Sequence, residues 1–349
     1  MASDLSAVTA IVILNWNGQK FLEKFLPGVI AHSGHCRVIV ADNASTDDSV
    51  SFVRQHFPGV ELILHACNLG FCEGYNQALR LVEAEYYVLL NSDVEVTPGW
   101  TEPILTLMGD NPNIAACQPK IKCFQNRTFF EYAGAGGGFI DHLGYPFCRG
   151  RLFESLEEDK GQYNDTVPVF WATGACMFVR ATVFHQAEGL EPAFFAHMEE
   201  IDLCWRLHHL GYQVMYCGQS EVYHVGGGTL PKTNSRKTFL NFRNGFAMLY
   251  KNISPAHFYR VIPVRILLDW VAAFKFMSGG DFPSAAAVFK AHADCWRHRK
   301  YWQAQRRRQP ALDQEIKGIY PGSVVWDYFI GGKKKYRDLE IPDGAALPA

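Results

Sequence analysis

The sequence lacks any CxxC pair. Its ten cysteines stand at positions 36, 67, 72, 117, 123, 148, 176, 204, 217 and 295. That spacing excludes a zinc ribbon and a dithiol redox motif. The thiols are expected as buried small hydrophobes in a reducing compartment. A basic stretch leading into an apolar core is missing near Met1, so no signal peptide is expected. Long uncharged apolar runs are missing too. The best candidate, Pro255 to Met277, is interrupted by Arg260, Arg265, Asp269 and Lys275, which argues against a spanning helix. There is no internal repeat. There is no GxGxxG after the first strand-like segment and no GxxxxGK[ST] anywhere, which disfavours a dinucleotide-binding Rossmann domain and a P-loop nucleotidase. Net charge is also scarce, at −2.

That small total hides an asymmetry. From Ser235 onward there are 19 Lys and Arg against 9 Asp and Glu, a net +10. The preceding 234 residues carry 14 against 26, a net −12. An acidic front and a basic tail exclude a uniformly basic nucleic-acid binder. The chain has 349 residues, 48% of them hydrophobic. This suffices for a large core and excludes general disorder.

The first hundred residues alternate strand and helix patterns. Thr9–Leu14, Arg37–Ala41, Val60–Leu64 and Tyr86–Leu90 are short apolar runs rich in β-branched and aromatic residues, as expected of strands buried on both faces. Helical periodicity lies between them. The stretch Ser45-Thr46-Asp47-Asp48 reads as a capping box variant ahead of Val50, Val53 and Phe57. A further helix is expected over Glu73–Val82. Strand–helix alternation with short links predicts a mostly parallel, doubly wound α/β sheet.

Polar residues gather where these strands end. The clusters are Asn15-Trp16-Asn17-Gly18, Asp42-Asn43-Ala44-Ser45, Asn68-Leu69-Gly70-Phe71 and Asn91-Ser92-Asp93. In an open α/β sheet the carboxyl ends share one edge, where ligands bind. Asn, Asp and Gly also serve ordinary turns; four such clusters on one edge point instead to a nucleotide-type ligand. Oxygen ligands in the Asn91-Ser92-Asp93 turn suit a hard divalent cation that leaves positions open for phosphates.

Beyond Asn111 the pattern changes. Phe124–Gly150, rich in Gly and aromatics, is expected to form loops. Val167–Trp171 and Cys176–Arg180 are strand-like and flank Ala172-Thr173-Gly174-Ala175. A helix with Leu203, Leu207 and Leu210 on one face should stop at Gly211. Glu199, Glu200 and Asp202 crowd its first turn. Carboxylates stabilise helix N-termini, yet three in four positions exceeds what capping requires. His224, just before Val225-Gly226-Gly227-Gly228, could supplement carboxylate ligands on a metal.

Taken in order, ILNWNG, VADNASTDDS, NLGFCEGYNQA, LLNSDV, TGACMFVR, FFAHMEEIDLCWRLHHLGY and VYHVGGGT resemble family-2 inverting glycosyltransferases of the GT-A fold, particularly their bacterial rhamnosyltransferase-like branch. The resemblance runs from about Thr9 to Gly228, and KTFLNFRNGFAMLYKN resembles that branch's C-terminal region. It implies a GT-A domain in two halves, 1–110 for the nucleotide sugar and 111–234 for the acceptor and catalysis. A basic helical region, 235–337, would follow, with a disordered tail over 338–349. It implies that Asp42 contacts a pyrimidine base, and that Asn15, Asn17, Asn43, Asn68 and Gly70 line the nucleotide pocket. Asn91-Ser92-Asp93 falls at the DxD position, so Asp93, with Asn91 and Ser92, would meet the diphosphate and a Mn2+ or Mg2+ ion. Asn91 and His224 would complete the metal site. Trp171, Gly174 and Ala175 would shape the acceptor and sugar pocket. The general base would come from Glu199, Glu200 or Asp202, with Glu200 favoured.

The implied reaction is transfer from a UDP- or dTDP-linked sugar to a glycan or lipid-linked acceptor in cell-surface polysaccharide synthesis. A sugar-nucleotide pyrophosphorylase would want a Gly-rich basic N-terminal loop, which ILNWNGQKF does not supply. A non-catalytic scaffold or glycan-binding protein would not need Asp42, Asp93, the Glu199–Asp202 cluster and His224. Lys290–Arg308 interleaves seven basic residues with Trp296, Tyr301 and Trp302. Beside the apolar Phe258–Met277 it suits an anionic membrane surface. The expectation is a cytoplasmic protein, peripheral at the inner membrane face, with no nucleic-acid partner.

Overall fold

A computed structural model describes Leu5 and residues 8–226, 234–308 and 316–341. Its strands are β1 (Thr9–Asn15), β2 (Arg37–Asp42), β3 (Glu61–Leu64), β4 (Tyr86–Asn91), β5 (Val94–Val96), β6 (Ile114–Cys123), β7 (Gly138–Asp141), β8 (Pro146–Cys148), β9 (Arg151–Leu152), β10 (Ser155–Leu156), β11 (Thr166–Val169), β12 (Cys176–Arg180), β13 (Gln213–His224) and β14 (Ile319–Tyr320). The helices are α1 (Gln19–His32), α2 (Ser49–His56), α3 (Gly70–Leu79), α4 (Glu102–Asp110), α5 (Ala181–Gln186), α6 (Glu199–His209), α7 (Ser235–Asn252), α8 (Pro255–Ser278), α9 (Phe282–Arg297), α10 (Arg299–Arg308) and α11 (Val324–Phe329).

The main sheet runs β11-β13-β6-β12-β4-β1-β2-β3, with β5 paired to β13. β1 pairs in parallel with both β2 and β4, and β2 with β3. β12 is inserted antiparallel between β4 and β6. The sheet is therefore mostly parallel, as its sequence pattern predicts. Strand order reverses direction at β1, and that topological switch opens the crevice where ligands bind.

Strand alternation explains why the first runs are apolar throughout. Ala10 and Val12 enter one buried cluster while Ile11 and Ile13 enter the other, on the opposite face of the sheet. Each fully buried aliphatic side chain contributes roughly 1.5–3 kcal/mol, so polar residues are displaced to the strand ends. Tyr75 of α3 fixes that edge from beneath. Its fully buried hydroxyl donates to Leu90 O at 3.1 Å.

Three expectations change. The Gly-rich stretch over 124–150 is not all loop, because β7 and β8 belong to a second sheet, β10-β9-β8-β7-β14. Gly138 conceals the strand pattern, since a Cβ there would lie 2.2 Å from the Trp171 ring. The helix after β2 is not capped by a box. Asp47 Oδ1 instead accepts from Ser49 N at 3.1 Å, and its Oδ2 accepts from Gln19 N at 3.1 Å. The tail expected to be disordered from 338 begins in a 3-10 turn, Tyr336–Leu339, with Leu339 buried; positions 342–349 lie outside the described residues. Helix α8, apolar as expected, also buries charge. Arg265 and Asp269 face inward as a 2.9 Å ion pair, joined by Tyr145 and His292, beside buried Val261 and Ile262, while Tyr259, Leu267, Trp270 and Phe274 are exposed.

Eight of the ten cysteines are buried and all ten are free thiols, in accord with their expected packing role. Among the described residues, no helix is long and apolar enough to cross a membrane.

Candidate active site

One cavity of about 2460 Å³ opens at the carboxyl ends of β1, β2 and β4. Single small-molecule sites occupy roughly 300–1,000 Å³, so this cavity has room for two substrates at once. Asn17, Asn43, Asn68, Gly70, Asn91, Ser92, Asp93, Gly174, Ala175, Glu199, Glu200 and His224 all line it. The four strand-end clusters do converge.

Asn15 and Asp42 are not among the lining residues. Asn15 Nδ2 donates to Asp42 Oδ1 at 3.1 Å, and Ser45 N donates to Asp42 Oδ2 at 2.9 Å. This pair organises the wall that Asn17 presents. Asn43 is the next organiser. Its Nδ2 donates to Asn68 Oδ1 and Gly70 O at 3.1 and 2.9 Å, and its Oδ1 accepts from Leu69 N. Gly70 is required by geometry. Its φ is +74°, and a Cβ would lie 2.5 Å from the Phe195 ring.

The ladder between β5 and β13 sets His224 opposite Val94, which brings its ring to the Asn91-Ser92-Asp93 turn. His224 Nε2 lies 3.1 Å from Asp93 Oδ1. Its Nδ1 faces Glu131 Oε2 at 3.4 Å, an ion-pair distance without hydrogen-bond alignment. Burial disfavours charge on the imidazole, but Asp93 and Glu131 outweigh it and push the pKa up to about 10. Burial likewise opposes ionisation of Asp93, and the His224 hydrogen bond reverses that, holding the carboxyl below its usual value. Glu131 carries no sequence signal, because it precedes a Gly-rich stretch with no recurring pattern.

The residues fit a divalent cation with substrate oxygens completing its shell. They offer one carboxylate, one imidazole and the Asn91 amide. A carboxylate sits behind the histidine nitrogen that points away from Asp93, the arrangement that orients metal-ligating imidazoles. Among the described residues no cluster of three or more His, Cys, Asp or Glu forms a complete protein cage.

Glu199 and Glu200 open α6 and face the cavity together. Burial raises the Glu200 pKa to about 7. Burial and the adjacent Glu200 charge drive Glu199 well above the usual carboxylate range. Glu199 Oε2 and Glu200 Oε2 each lack a hydrogen-bond partner among the described residues. Ahead of this pair the backbone is strained: Phe195, His197 and Met198 have φ of +65°, +72° and +70°. Non-glycine residues held there cost on the order of 1–3 kcal/mol each. The loop persists because Asn244 Nδ2 donates to Phe194 O, Ala196 O and His197 O, and Phe71 N donates to Phe195 O at 2.7 Å. Asn244 belongs to α7, so the C-terminal helices brace the loop that leads into Glu199 and Glu200.

Two further expected site residues, besides Asn15 and Asp42, lie outside the cavity lining. Asp202 is fully enclosed and outside the cavity lining. It accepts from Arg206 Nε, Lys251 Nζ and Asn252 Nδ2 at 2.8–2.9 Å. Burial opposes its charge, but Lys251 and Arg206 keep its pKa low, so it anchors rather than takes protons. Helical geometry separates it from Glu200: two positions further on, Asp202 points to the other side of α6, toward Lys251 and Asn252 of α7. Trp171 is also core. Its Nε1 donates to Phe139 O at 2.9 Å and its ring covers Gly138. Gly174 and Ala175 do reach the cavity, and a Cβ on Gly174 would sit 3.8 Å from Glu200 Cβ.

A model of the family described as Glycosyl transferase family 2 matches residues 10–186, just over half of the chain. The N-acetylglucosaminyl-diphospho-decaprenol L-rhamnosyltransferase of Mycobacterium tuberculosis is 26% identical over 236 residues, covering 63% of this chain and 76% of that protein. Rhamnosyltransferase WbbL of Escherichia coli is 25% identical over 225 residues, covering 61% and 82%. Among solved structures, GalNAc-T7 with UDP, GalNAc and Mn2+ superposes at a TM-score of 0.57 and 14% identity, covering 74% of this chain. This chain spans about half of that one, 51%, and the likeness concerns the fold.

Proposed function

The chain belongs to glycosyl transferase family 2, and from that premise we propose that it moves a sugar from a UDP- or dTDP-linked donor to a glycan or lipid-linked acceptor with inversion at the anomeric carbon. The observation that carries the mechanism is Glu200, a cavity-lining carboxyl with an unpartnered oxygen and a pKa near 7. A general base works best when its pKa lies near the operating pH. The acceptor hydroxyl attacks the anomeric carbon while Glu200 takes its proton. The bond to the diphosphate oxygen breaks on the opposite face, and the nucleoside diphosphate leaves with the electron pair. Glu199, held protonated, leaves Glu200 as the ionised member of the pair.

Asn17, Asn43 and Asn68 bind the nucleotide portion on the wall that Asn15 and Asp42 organise, with Gly70 giving Phe195 room beside it. Asn91, Ser92 and Asp93 receive the diphosphate. Asp93 and His224, with the Asn91 amide, are the residues that would hold Mn2+ or Mg2+. When bound, such an ion neutralises charge developing on the leaving diphosphate. Arg236, stacked on Phe195 with 4.9 Å between guanidinium and ring centre, adds a cation to the same cavity. Substituting Glu200 by Gln and measuring transfer and donor affinity separately tests this assignment.

The exterior of α8 supports a membrane-associated acceptor. Val264 and Val271 line the cavity, whereas Tyr259, Leu267 and Phe274 are 84%, 61% and 60% exposed, with Trp270 beside them. They recur at helical spacing on one face. An apolar stripe this long marks an interaction surface. Exposed Trp296 and the cations Lys290, Arg297, Arg299 and Lys300 flank it in the chain. The basic tract is not wholly free for lipid: Trp302 is buried and Arg306 donates to Tyr250 O. The reading is a peripheral enzyme at the cytoplasmic face of an anionic membrane, with α8 against the bilayer.

A further inference from the structure

Two arginines stand two positions apart in the small sheet region, and only one is satisfied. Arg149 Nε donates to Gly136 O at 2.7 Å, and its two terminal nitrogens donate to both oxygens of Asp165 at 2.9 Å. Arg151 is equally buried, at 8% exposure. Among the described residues its Nη1 reaches Phe153 O at 3.3 Å, its Nη2 meets only the Cys148 thiol at 3.9 Å, and its Nε has no partner. No carboxylate among the described residues pairs with it. The guanidinium lies on the Tyr132 ring, 4.1 Å from its centre, and lines the active-site cavity.

A buried cation is expensive unless its donors are used. Guanidinium presents a planar fork matched to phosphate and carboxylate oxygens. The Tyr132 stack holds that fork in one orientation. Arg151 comes from β9, in the small sheet, whereas the proposed donor groups come from the main-sheet edge. The nearby Glu131 is already engaged by Ala133 N and His224.

We propose that Arg151, stacked on Tyr132, forms an oxyanion subsite that binds a phosphate group of the acceptor. This rests on the reading that the same cavity takes a glycosyl acceptor. The acceptor would then be an anionic molecule whose phosphate is fixed by Arg151 while its hydroxyl is presented to Glu200. Arg151 acts as a specificity and positioning residue.

The test is calorimetric titration of the full chain, freed of metal by EDTA, with inorganic pyrophosphate at constant ionic strength. It is run with and without saturating UDP, in the wild type, Arg151→Met and Arg151→Lys. Without metal, the Asp93 side repels the probe. Pyrophosphate should bind the wild type in the presence of UDP, at least tenfold more weakly to Arg151→Met, and severalfold more weakly to Arg151→Lys, which keeps charge but loses the fork. UDP affinity in the presence of Mn2+ should stay within twofold in both variants. Arg151→Lys decides alone if the Met variant gives no cooperative melt. Absent binding, binding unchanged by these substitutions, or binding abolished by UDP would overturn the subsite. None of these readouts requires sugar transfer, so failure of the subsite is distinguishable from failure of the glycosyltransferase reading.

Discussion

Lys251 Nζ lies 2.8 Å from Glu191 Oε2 and 2.9 Å from Asp202 Oδ2, and all three side chains are almost wholly enclosed. The contact joins α7 to the first turn of α6, directly after Glu199 and Glu200. Lys251→Met leaves two buried carboxylates short of a cation. Removing one partner of such a pair costs about 3–5 kcal/mol. Denaturant unfolding should show that loss, and transfer activity should fall with it. A variant as stable as the wild type would show that α7 does not brace the site.

Glu200 also sets a pH dependence of stability. Its folded pKa, about 7, lies above its ordinary value of 4.5. The folded state therefore binds the proton more tightly than the unfolded chain. The stabilisation is complete below about 4.5 and is lost as pH rises through about 7. Glu200→Gln mimics the protonated form at every pH. The variant should match the wild type below pH 4.5 and exceed it above pH 7, by about 3 kcal/mol. Melting curves across that range check the sign; a variant less stable than the wild type at pH 8 would contradict it.

Glu131 stands behind the histidine expected to hold the metal. Carboxylates in that role typically alter metal affinity about 10–100-fold. Glu131→Gln should weaken Mn2+ binding by that amount, read as free Mn2+ by electron paramagnetic resonance. Affinity within twofold of the wild type would leave Glu131 with no part in the site.

The α8 face gives a prediction independent of catalysis. Leu267→Ser combined with Phe274→Ser should reduce co-sedimentation with phosphatidylglycerol vesicles at least fivefold and leave the melting temperature unchanged, because both side chains already face solvent. High salt should weaken binding further by screening the flanking cations. No wild-type binding at low salt would remove the membrane reading.

Much of this architecture was legible because buried parallel strands must be apolar, which forces polar groups to their ends. Thr9–Leu14 and Tyr86–Leu90 announced the sheet, and Asn43, Asn68 and Asp93 announced its ligand edge. The Glu199–Glu200 pair was visible as excess acid at a helix start. What the sequence could not show was direction. Asp202 belongs to the same acidic cluster, yet its contacts with Lys251 and Asn252, about 50 residues away, decide that it is structural. Trp171 adjoins the pocket residues Gly174 and Ala175 in sequence, but its ring lies over Gly138, far away in the chain, and this makes it a core residue. Glu131, Arg151 and Asn244 carry no local pattern, because their roles come from tertiary neighbours. The apolar content of α8 was plain, but only the buried Arg265–Asp269 pair shows which way the helix faces.

The central claim is that Glu200 accepts the acceptor proton while a separate station, Asp93 with His224, receives the diphosphate. Side-by-side measurement of transfer rate and donor affinity in Glu200→Gln tests it most directly. Transfer should fall by at least about 10²-fold, as expected for removal of a general base, with donor affinity in the presence of Mn2+ within twofold of the wild type. A Glu200→Gln enzyme that turns over at the wild-type rate, or that loses donor binding in proportion to activity, would contradict the account.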